Sequence, residues 1–222
     1  MVKKRLIILF ALLFFSFLIL GCTQQQISEK EEKKLEKEKP IEREITLEQL
    51  VAMKRKDFNE NEMIKCEMNS TAQGMQISFK VFMHVDDKKK TTTLKTISTL
   101  PFGISAGEII TKSVENDTLT YVSKDFALLM GLDKEEIKDC NYVTLTPSVA
   151  KMIGGKTYNL NNEDELKASL NEFITTAKRD NMKVKCLITK ADMAIFDIKG
   201  KICEGDKLFE KLLNKTTINK SE

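Results

Sequence analysis

The sequence has few of the residues from which most catalytic and metal sites are built. It has one histidine, His84, no Cys-x-x-Cys spacing and no repeated Met-x-x-Met among its ten methionines. Zinc sites take several His or Cys ligands, and Ser-His-Asp and Cys-His mechanisms need a histidine beside the nucleophile. We therefore predict no metal site, no cofactor and no catalytic residue, and expect that the protein is not an enzyme. His84 is interpreted as a surface residue on the wetter face of a strand.

Arginine is also scarce, and the charge is nearly balanced. The 222 residues hold 36 basic and 33 acidic side chains, and only four of the basic ones are arginines. The first 21 residues contain Lys3, Lys4 and Arg5 but no acidic group, so the remainder carries 33 groups of each sign. Nucleic-acid binding requires a clustered basic surface. A body without net charge excludes that class, and the +3 belongs to the extreme N-terminus.

The N-terminal segment has the layout of a signal peptide. Residues 6–20 are apolar except for Ser16, the three basic residues precede them, and Gly21-Cys22 follows. This run is short for a membrane span, which takes about 20 residues. We expect residues 1–21 to be removed, and an uncleaved N-terminal signal anchor is the alternative.

The end of this segment, Ile19-Leu20-Gly21-Cys22, resembles a lipobox, the motif of prokaryotic lipoproteins in which a thioether-linked lipid on the cysteine holds the mature chain at the membrane. That motif prefers Leu three residues before the cysteine and a small residue two before it, and Ile19 and Leu20 depart from both preferences. The resemblance implies that Cys22 is lipidated and that the protein lies at the extracytoplasmic face of the cell membrane.

Composition divides the rest of the chain in two. Residues 22–45 read as the lipidated cysteine and a polar stalk, since residues 23–45 hold six basic and seven acidic groups and few apolar ones. Such a segment buries too little apolar surface to offset its chain entropy. Residues 46–222 read as a single extracytoplasmic domain, a length that suits one hydrophobic core.

The clearest pattern in this domain is a strand of period two. Between residues 75 and 85 every odd position is apolar, and the even positions are mostly polar. This alternation predicts a strand with one buried and one largely wet face. Shorter patterns predict further strands at residues 64–68, 91–100, 108–115, 119–122, 141–145, 184–188 and 196–202.

Helix signals lie on both sides of these strands. Thr46 and Gln49 form a capping-box pattern, residues 162–178 carry a single apolar face, and Asp206 opens a final short helix. Two short helices, over residues 123–131 and from Pro147, interrupt the strands. We predict an α+β fold: a curved antiparallel β-sheet, a half-barrel-like meander, with amphipathic helices packed on its apolar face.

Four cysteines remain once Cys22 carries lipid: Cys66, Cys140, Cys186 and Cys203. An even number in a chain that leaves the cytosol predicts two disulfides. Three pairings are open, and locality along the chain favours Cys66 with Cys140 and Cys186 with Cys203.

Four Asn-x-Ser/Thr sequences begin at Asn69, Asn116, Asn214 and Asn219. They fall in apparent turns or in the tail, where surface glycans would fit. Chance matches in a chain with many Asn and Thr residues account for them equally well.

The segment from Met63 to Val85 with its Thr-rich return, and Asp139-Cys140-Asn141-Tyr142, resemble small membrane lipoproteins of the outer-membrane lipoprotein carrier class (LolA/LppX-like), of a type associated with archaea. The resemblance implies a half-barrel that binds a lipid or another hydrophobic ligand in its apolar concavity. The residues implied as lining are Met75, Ile77, Phe79, Val81 and Met83.

Two functions follow as hypotheses. The first is a membrane-anchored extracytoplasmic lipoprotein that binds a hydrophobic ligand or lipid in the sheet concavity, which needs an open cavity of several hundred Å³. The second is a structural or adhesion-type envelope lipoprotein with a filled core, which acts through protein–protein contacts. An apolar strand face alone does not distinguish them, because it looks the same whether a helix or a lipid covers it.

Overall fold

The computed structural model describes residues 42–72, 75–100, 104–152 and 156–218, and the side chains at 71–72, 75–76, 151–152 and 213–218 lie outside that description. The signal segment, Cys22 and the stalk up to residue 41 lie outside the described residues. What we infer for them from sequence therefore stays a prediction.

The described chain forms one mixed α+β unit, as predicted. The strands are β1 (Arg43–Ile45), β2 (Glu62–Ala72), β3 (Met75–Asp86), β4 (Thr91–Thr99), β5 (Ser105–Val114), β6 (Asp117–Ser123), β7 (Tyr142–Leu145), β8 (Lys183–Lys190) and β9 (Ile202–Cys203). The helices are α1 (Leu47–Ala52), α2 (Lys124–Leu129), α3 (Pro147–Met152), α4 (Glu163–Arg179) and α5 (Gly205–Ile218). Short 3-10 turns occupy Arg55–Asp57 and Met193–Phe196.

All nine strands join one sheet in the order β1-β8-β2-β3-β4-β5-β6-β7-β9. Every pair is antiparallel except β7 and β9. Strands β2 to β7 follow chain order as a meander, and β8 returns to pair between β1 and β2. The sheet is open, with β1 and β9 at its two edges.

Strand β1 corrects the boundary drawn from composition. Residues Arg43–Ile45, assigned to the stalk by their charge, pair with residues 186–188 of β8. Ile45 is buried in the main core. Composition missed this strand because only one of its three side chains is apolar. The domain therefore begins before Thr46, whose capping box with Gln49 opens α1 as predicted.

The inner face of the sheet carries two apolar clusters. The register keeps Val81, Thr96, Ile109, Val122 and Val143 on this one face. Over β8, β2 and β3 it is covered by α4, and over β5 to β7 by α2, α3 and α5. Helices therefore pack on the apolar face, as predicted.

Helix α4 forms for reasons visible in its sequence. The Asn162 side chain accepts hydrogen bonds from the backbone N–H groups of Asp164 and Glu165, which caps the first turn. Three carboxylates lie in the first turn and two cations in the last, which complements the helix dipole. The side chains of one face are buried against the sheet: Leu166, Ser169, Leu170, Phe173, Ile174, Thr176 and Ala177.

The outer face is not simply wet, which corrects the expectation for β3. After β8 the chain crosses this face to reach β9 at the far edge, and we call residues 191–201 the strap. Phe196 of the strap is 2% exposed and packs with Met63 and Phe82 of the outer face. The strand predicted over residues 196–202 is wrong, because the strap passes over the sheet and only Ile202–Cys203 pair with β7.

The same crossing determines the disulfides. Two are present, as predicted, but they join Cys66 to Cys186 and Cys140 to Cys203, so the pairing favoured from locality is wrong. Cys186 on β8 and Cys203 on β9 lie seven strands apart in the sheet order, roughly 34 Å at a strand spacing of about 4.8 Å. Cys66 and Cys186 instead face each other on neighbouring strands, with Cα atoms 4.0 Å apart.

Candidate functional site

The structure places four of the five predicted lining side chains on the inner face of β3. Phe79, Val81 and Met83 are buried in the main core, and Ile77 packs against it half-buried. The backbone of Met75 begins β3, but its side chain is outside the described residues. Helix α4 lies over these positions, so the strand alternation identified the correct face and not what covers it.

Between α4 and the sheet there is a cavity of about 20 Å³. Phe173, Leu166 and Leu170 line it from the helix, and Val81 and Met83 line it from β3. That volume holds about one water molecule, whereas sites for drug-sized ligands have volumes of about 300–1,000 Å³. As the helix is placed, this cavity does not accommodate an acyl chain.

Between the two apolar clusters the inner face changes from apolar to hydroxyl-bearing side chains. We call this region the hydroxyl band; its members are Thr92, Thr96, Ser98, Thr111, Ser113, Thr118 and Thr120. Cross-strand pairs within it bond to each other, Thr111 to Thr120 at 3.0 Å and Ser113 to Thr118 at 2.9 Å between oxygens. The band separates the core under α4 from the core under the other helices.

A buried arginine joins the hydroxyl band to the end of the sheet where β3 turns into β4. Arg55 Nη1 donates to Thr92 Oγ1 at 2.6 Å and to the Leu160 carbonyl at 2.9 Å, and its Nε donates to Asp87 Oδ1 at 3.1 Å. Arg55 is 5% exposed, and its Nη2 has no hydrogen-bond partner among the described residues. Sequence reasoning missed this group, because the partners lie 32 to 105 residues away.

The segment before α4 is fastened at the same place. Asn161 Nδ2 donates to the carbonyls of Lys90 and Glu115, at 2.6 Å and 3.1 Å. Both carbonyls belong to hairpin turns, at residues with φ of about 50°. Arg55 and Asn161 together hold the chain that leads into α4 against two turns of the meander.

The Arg55–Asp87 contact gives a pH-dependent prediction. Hydrogen bonds from Lys90 and then from Arg55 hold the pKa of Asp87 below its ordinary value of 3.8. A carboxyl with a lowered pKa contributes stability above its unfolded pKa, and that contribution is lost as the pH falls through the folded pKa. Asp87→Asn should therefore lower the free energy of unfolding at pH 7, by about 1 kcal/mol or less because the pair is partly solvated.

Urea denaturation from neutral to acid pH checks this expectation. The difference in free energy of unfolding between Asp87→Asn and the unchanged protein should stay constant from pH 7 down to about the ordinary pKa of 3.8. Below that pH the difference should disappear. Asp117→Asn is the control, since Asp117 is exposed and forms no ion pair with a described residue. A difference that persists at the acid end would show that Asp87 acts by packing rather than by charge.

A second polar network lies on the outer face. Lys95 Nζ is 2.6 Å from Glu108 Oε2, and the Tyr142 hydroxyl donates to Glu108 Oε1. Burial, followed by the bond to Glu108, raises the pKa of Tyr142. This network connects β4, β5 and β7. With its pKa raised, Tyr142 stays protonated and donates its hydrogen bond to Glu108, so we interpret its role as structural.

His84 differs from its interpretation as a surface residue. It is 7% exposed, its ring centroid lies 6.4 Å from that of Phe196, and its Nε2 is 2.9 Å from the Glu60 carbonyl. The strap covers a position that the sequence pattern places on the wet face. Among the described residues, no group of three or more His, Cys, Asp or Glu side chains is placed to hold a metal ion.

The glycosylation sequences occupy different settings. Asn116 lies in the turn between β5 and β6, as predicted, while Asn69 lies within β2 and Asn214 within α5. Asn219 is outside the described residues. The expectation that all of them lie in turns or the tail is therefore wrong for Asn69 and Asn214.

None of the helices in the described part of the chain combines the length and hydropathy that a membrane span needs. The apolar segment 6–20 lies outside that part. In comparisons with known proteins, no family model, no curated protein and no solved structure matches this chain.

Proposed function

We propose that this protein is an extracytoplasmic lipoprotein, tethered to the membrane through Cys22, whose domain acts through its outer surface. Two disulfides support the location, because such bonds form and persist in oxidising compartments and are rare in the cytosol. The lipobox-like residues and the polar stalk support the tether. The proposal assigns no catalytic step and no nucleic acid partner.

One observation carries the mode of action. Helix α4 lies on the apolar face of β2, β3 and β8, and its side chains leave a cavity of about 20 Å³ there. Because the domain's own helix already covers this apolar face, partners would contact the outer surface of the domain. This favours the structural or adhesion-type lipoprotein with a filled core among the two functions derived from sequence.

Binding of a lipid or other hydrophobic ligand stays as the second candidate, together with the curved half-barrel that the resemblance implies. The observation in its favour is the lining of the cavity, which is apolar apart from the hydroxyl of Ser169. Binding an acyl chain there requires α4 to move away from the sheet. Native mass spectrometry of gently purified protein tests it: a bound lipid supports this candidate, and consistently empty protein counts against it.

The tether is tested by Cys22→Ser. If lipid on Cys22 holds the chain, the variant should move from the membrane fraction to the soluble fraction, because a single-residue change removes the whole acyl anchor. Unchanged fractionation would instead support the uncleaved signal anchor. Cys203→Ser is the matched control, since it removes a cysteine of the folded domain without touching the anchor, and it should fractionate with the membrane.

A further inference from the structure

The outer face of β2, β3 and β8 carries a group of four lysines beside the strap, two of them exposed and two partly covered. Lys65, Lys80, Lys183 and Lys185 all lie on this face, and we call them the lysine face. The strand register places Lys185 and Lys80 on either side of Glu67, and Lys183 opposite Asn69. Lys183 and Lys185 are exposed.

The charges on this face do not cancel. Glu67 is 2.9 Å from Lys65 Nζ and 3.9 Å from Lys80 Nζ, so one carboxylate serves two ammonium groups. Lys183 and Lys185 form no ion pair with a described residue. Glu44 of β1 lies on the same face, opposite Leu187, and Asp86 at the end of β3 is paired with Lys89 of the turn at 2.9 Å. Apart from that pair, four lysines and two glutamates leave +2 on these strands, and the two acidic and two basic residues of the strap cancel.

The excess is local, because the domain as a whole has no net charge. Residues 42–222 contain 28 basic and 28 acidic side chains. A positive face on a neutral domain makes its charge distribution asymmetric, so the domain orients near a charged surface. An evenly mixed surface has no such orienting effect. It should attract an extended anionic surface.

The tether enters at the edge of the sheet that carries these lysines. Strand β1, which begins at Arg43, pairs with β8, and β8 holds Lys183 and Lys185. Between Cys22 and β1 the chain has some 20 residues, which span about 70 Å when extended and roughly 25 Å as a flexible coil. A tether of that reach keeps the lysine face close to the membrane, where a weak attraction acts at high effective concentration.

We propose that the lysine face docks onto the anionic lipid headgroups of the membrane to which the protein is tethered. Docking turns the domain so that β8, β2 and β3 face the lipid and α4 faces away from it. Each lysine near an anionic membrane surface favours the docked over the undocked orientation of the domain by roughly five-fold. This inference rests on the proposed membrane tether but not on the identity of the anchor.

Lysine labelling on vesicles tests the orientation with the full chain. The protein is reconstituted into vesicles of neutral phosphatidylcholine or of a mixture with phosphatidylglycerol, and treated with a water-soluble amine-reactive ester. Labelling of Lys183 and Lys185 is compared by peptide mass spectrometry with that of Lys134 and Lys138. The latter pair is exposed on the segment between α2 and β7, which packs on the inner face.

We expect Lys183 and Lys185 to be labelled about five-fold more slowly on anionic vesicles, with no change at Lys134 and Lys138, and high salt to abolish the difference. Lys183→Glu with Lys185→Glu should remove the protection of Lys65, while Lys134→Glu with Lys138→Glu should leave it. Equal labelling on both vesicle types overturns the proposal. Equal protection by soluble polyphosphate without vesicles also overturns it, in favour of an acidic polymer as partner.

Flotation with the vesicles distinguishes failure of the tether from failure of the docking. A chain that does not float with neutral vesicles contradicts the proposed anchoring, whereas a chain that floats with both vesicle types but shows no protection contradicts only the docking of the lysine face.

Discussion

Replacing Cys66 and Cys186 together by alanine should lower the free energy of unfolding by about 5 kcal/mol. The bond between them closes a loop of 120 residues, and in the chain-entropy model a loop of that length constrains the unfolded state by roughly this amount. Both residues are 2% exposed and lie in the main core. Urea denaturation in non-reducing buffer measures the change.

Free-thiol titration of paired variants tests the connectivity itself. Cys66→Ala with Cys186→Ala should leave no free thiol in the folded domain, because Cys140 and Cys203 remain bonded. The matched control, Cys66→Ala with Cys140→Ala, should leave two, since each lost residue orphans its partner. The reverse result would mean that the pairing favoured by chain locality is the correct one.

Phe173→Ala should lower the free energy of unfolding by about 3–5 kcal/mol, the usual range for truncating a buried aromatic side chain. Phe173 is 3% exposed on α4 and already borders the cavity of about 20 Å³. The truncation enlarges a space whose walls are held by the sheet, so the cost includes an unfilled void as well as lost burial. Thermal or urea unfolding measures the loss.

Leu129→Ala is the matched control for Phe173→Ala. Leu129 is 52% exposed on α2, and its truncation should change the free energy of unfolding by about 0.5 kcal/mol or less. If Phe173→Ala costs equally little, α4 is not packed on the sheet in solution. The hydrophobic-ligand function would then be favoured over the filled core.

The disulfide pairing and the packing of α4 on the sheet are the two features about which the sequence pattern was least informative. Alternation in β3 identified Phe79, Val81 and Met83 as one apolar face, and the periodicity of residues 162–178 identified a helix with a matching face. Nothing in either pattern states that the two faces meet. The answer depends on the path of residues 156–162, which Arg55 and Asn161 hold against the turns of the meander.

The outer face shows the same limit. Phe82 and His84 stand at polar-side positions of β3, so alternation places them in water. They are buried because β8 lies between β1 and β2 near one edge and β9 forms the other edge, which requires a strap across the face between them. Strand order is a long-range property, and a local pattern carries no information about it.

By itself the sequence determined the signal-like segment and the lipobox-like cysteine, the absence of net charge from the body, the helices with their caps, the meander from β2 to β7 and the existence of two disulfides. These follow from local composition, periodicity and residue counts. Only the tertiary structure decided which cysteines meet, what covers each face of the sheet, and that four lysines share its outer face. Each of these depends on where β8 and β9 enter the sheet, and their partner strands lie far from them along the chain.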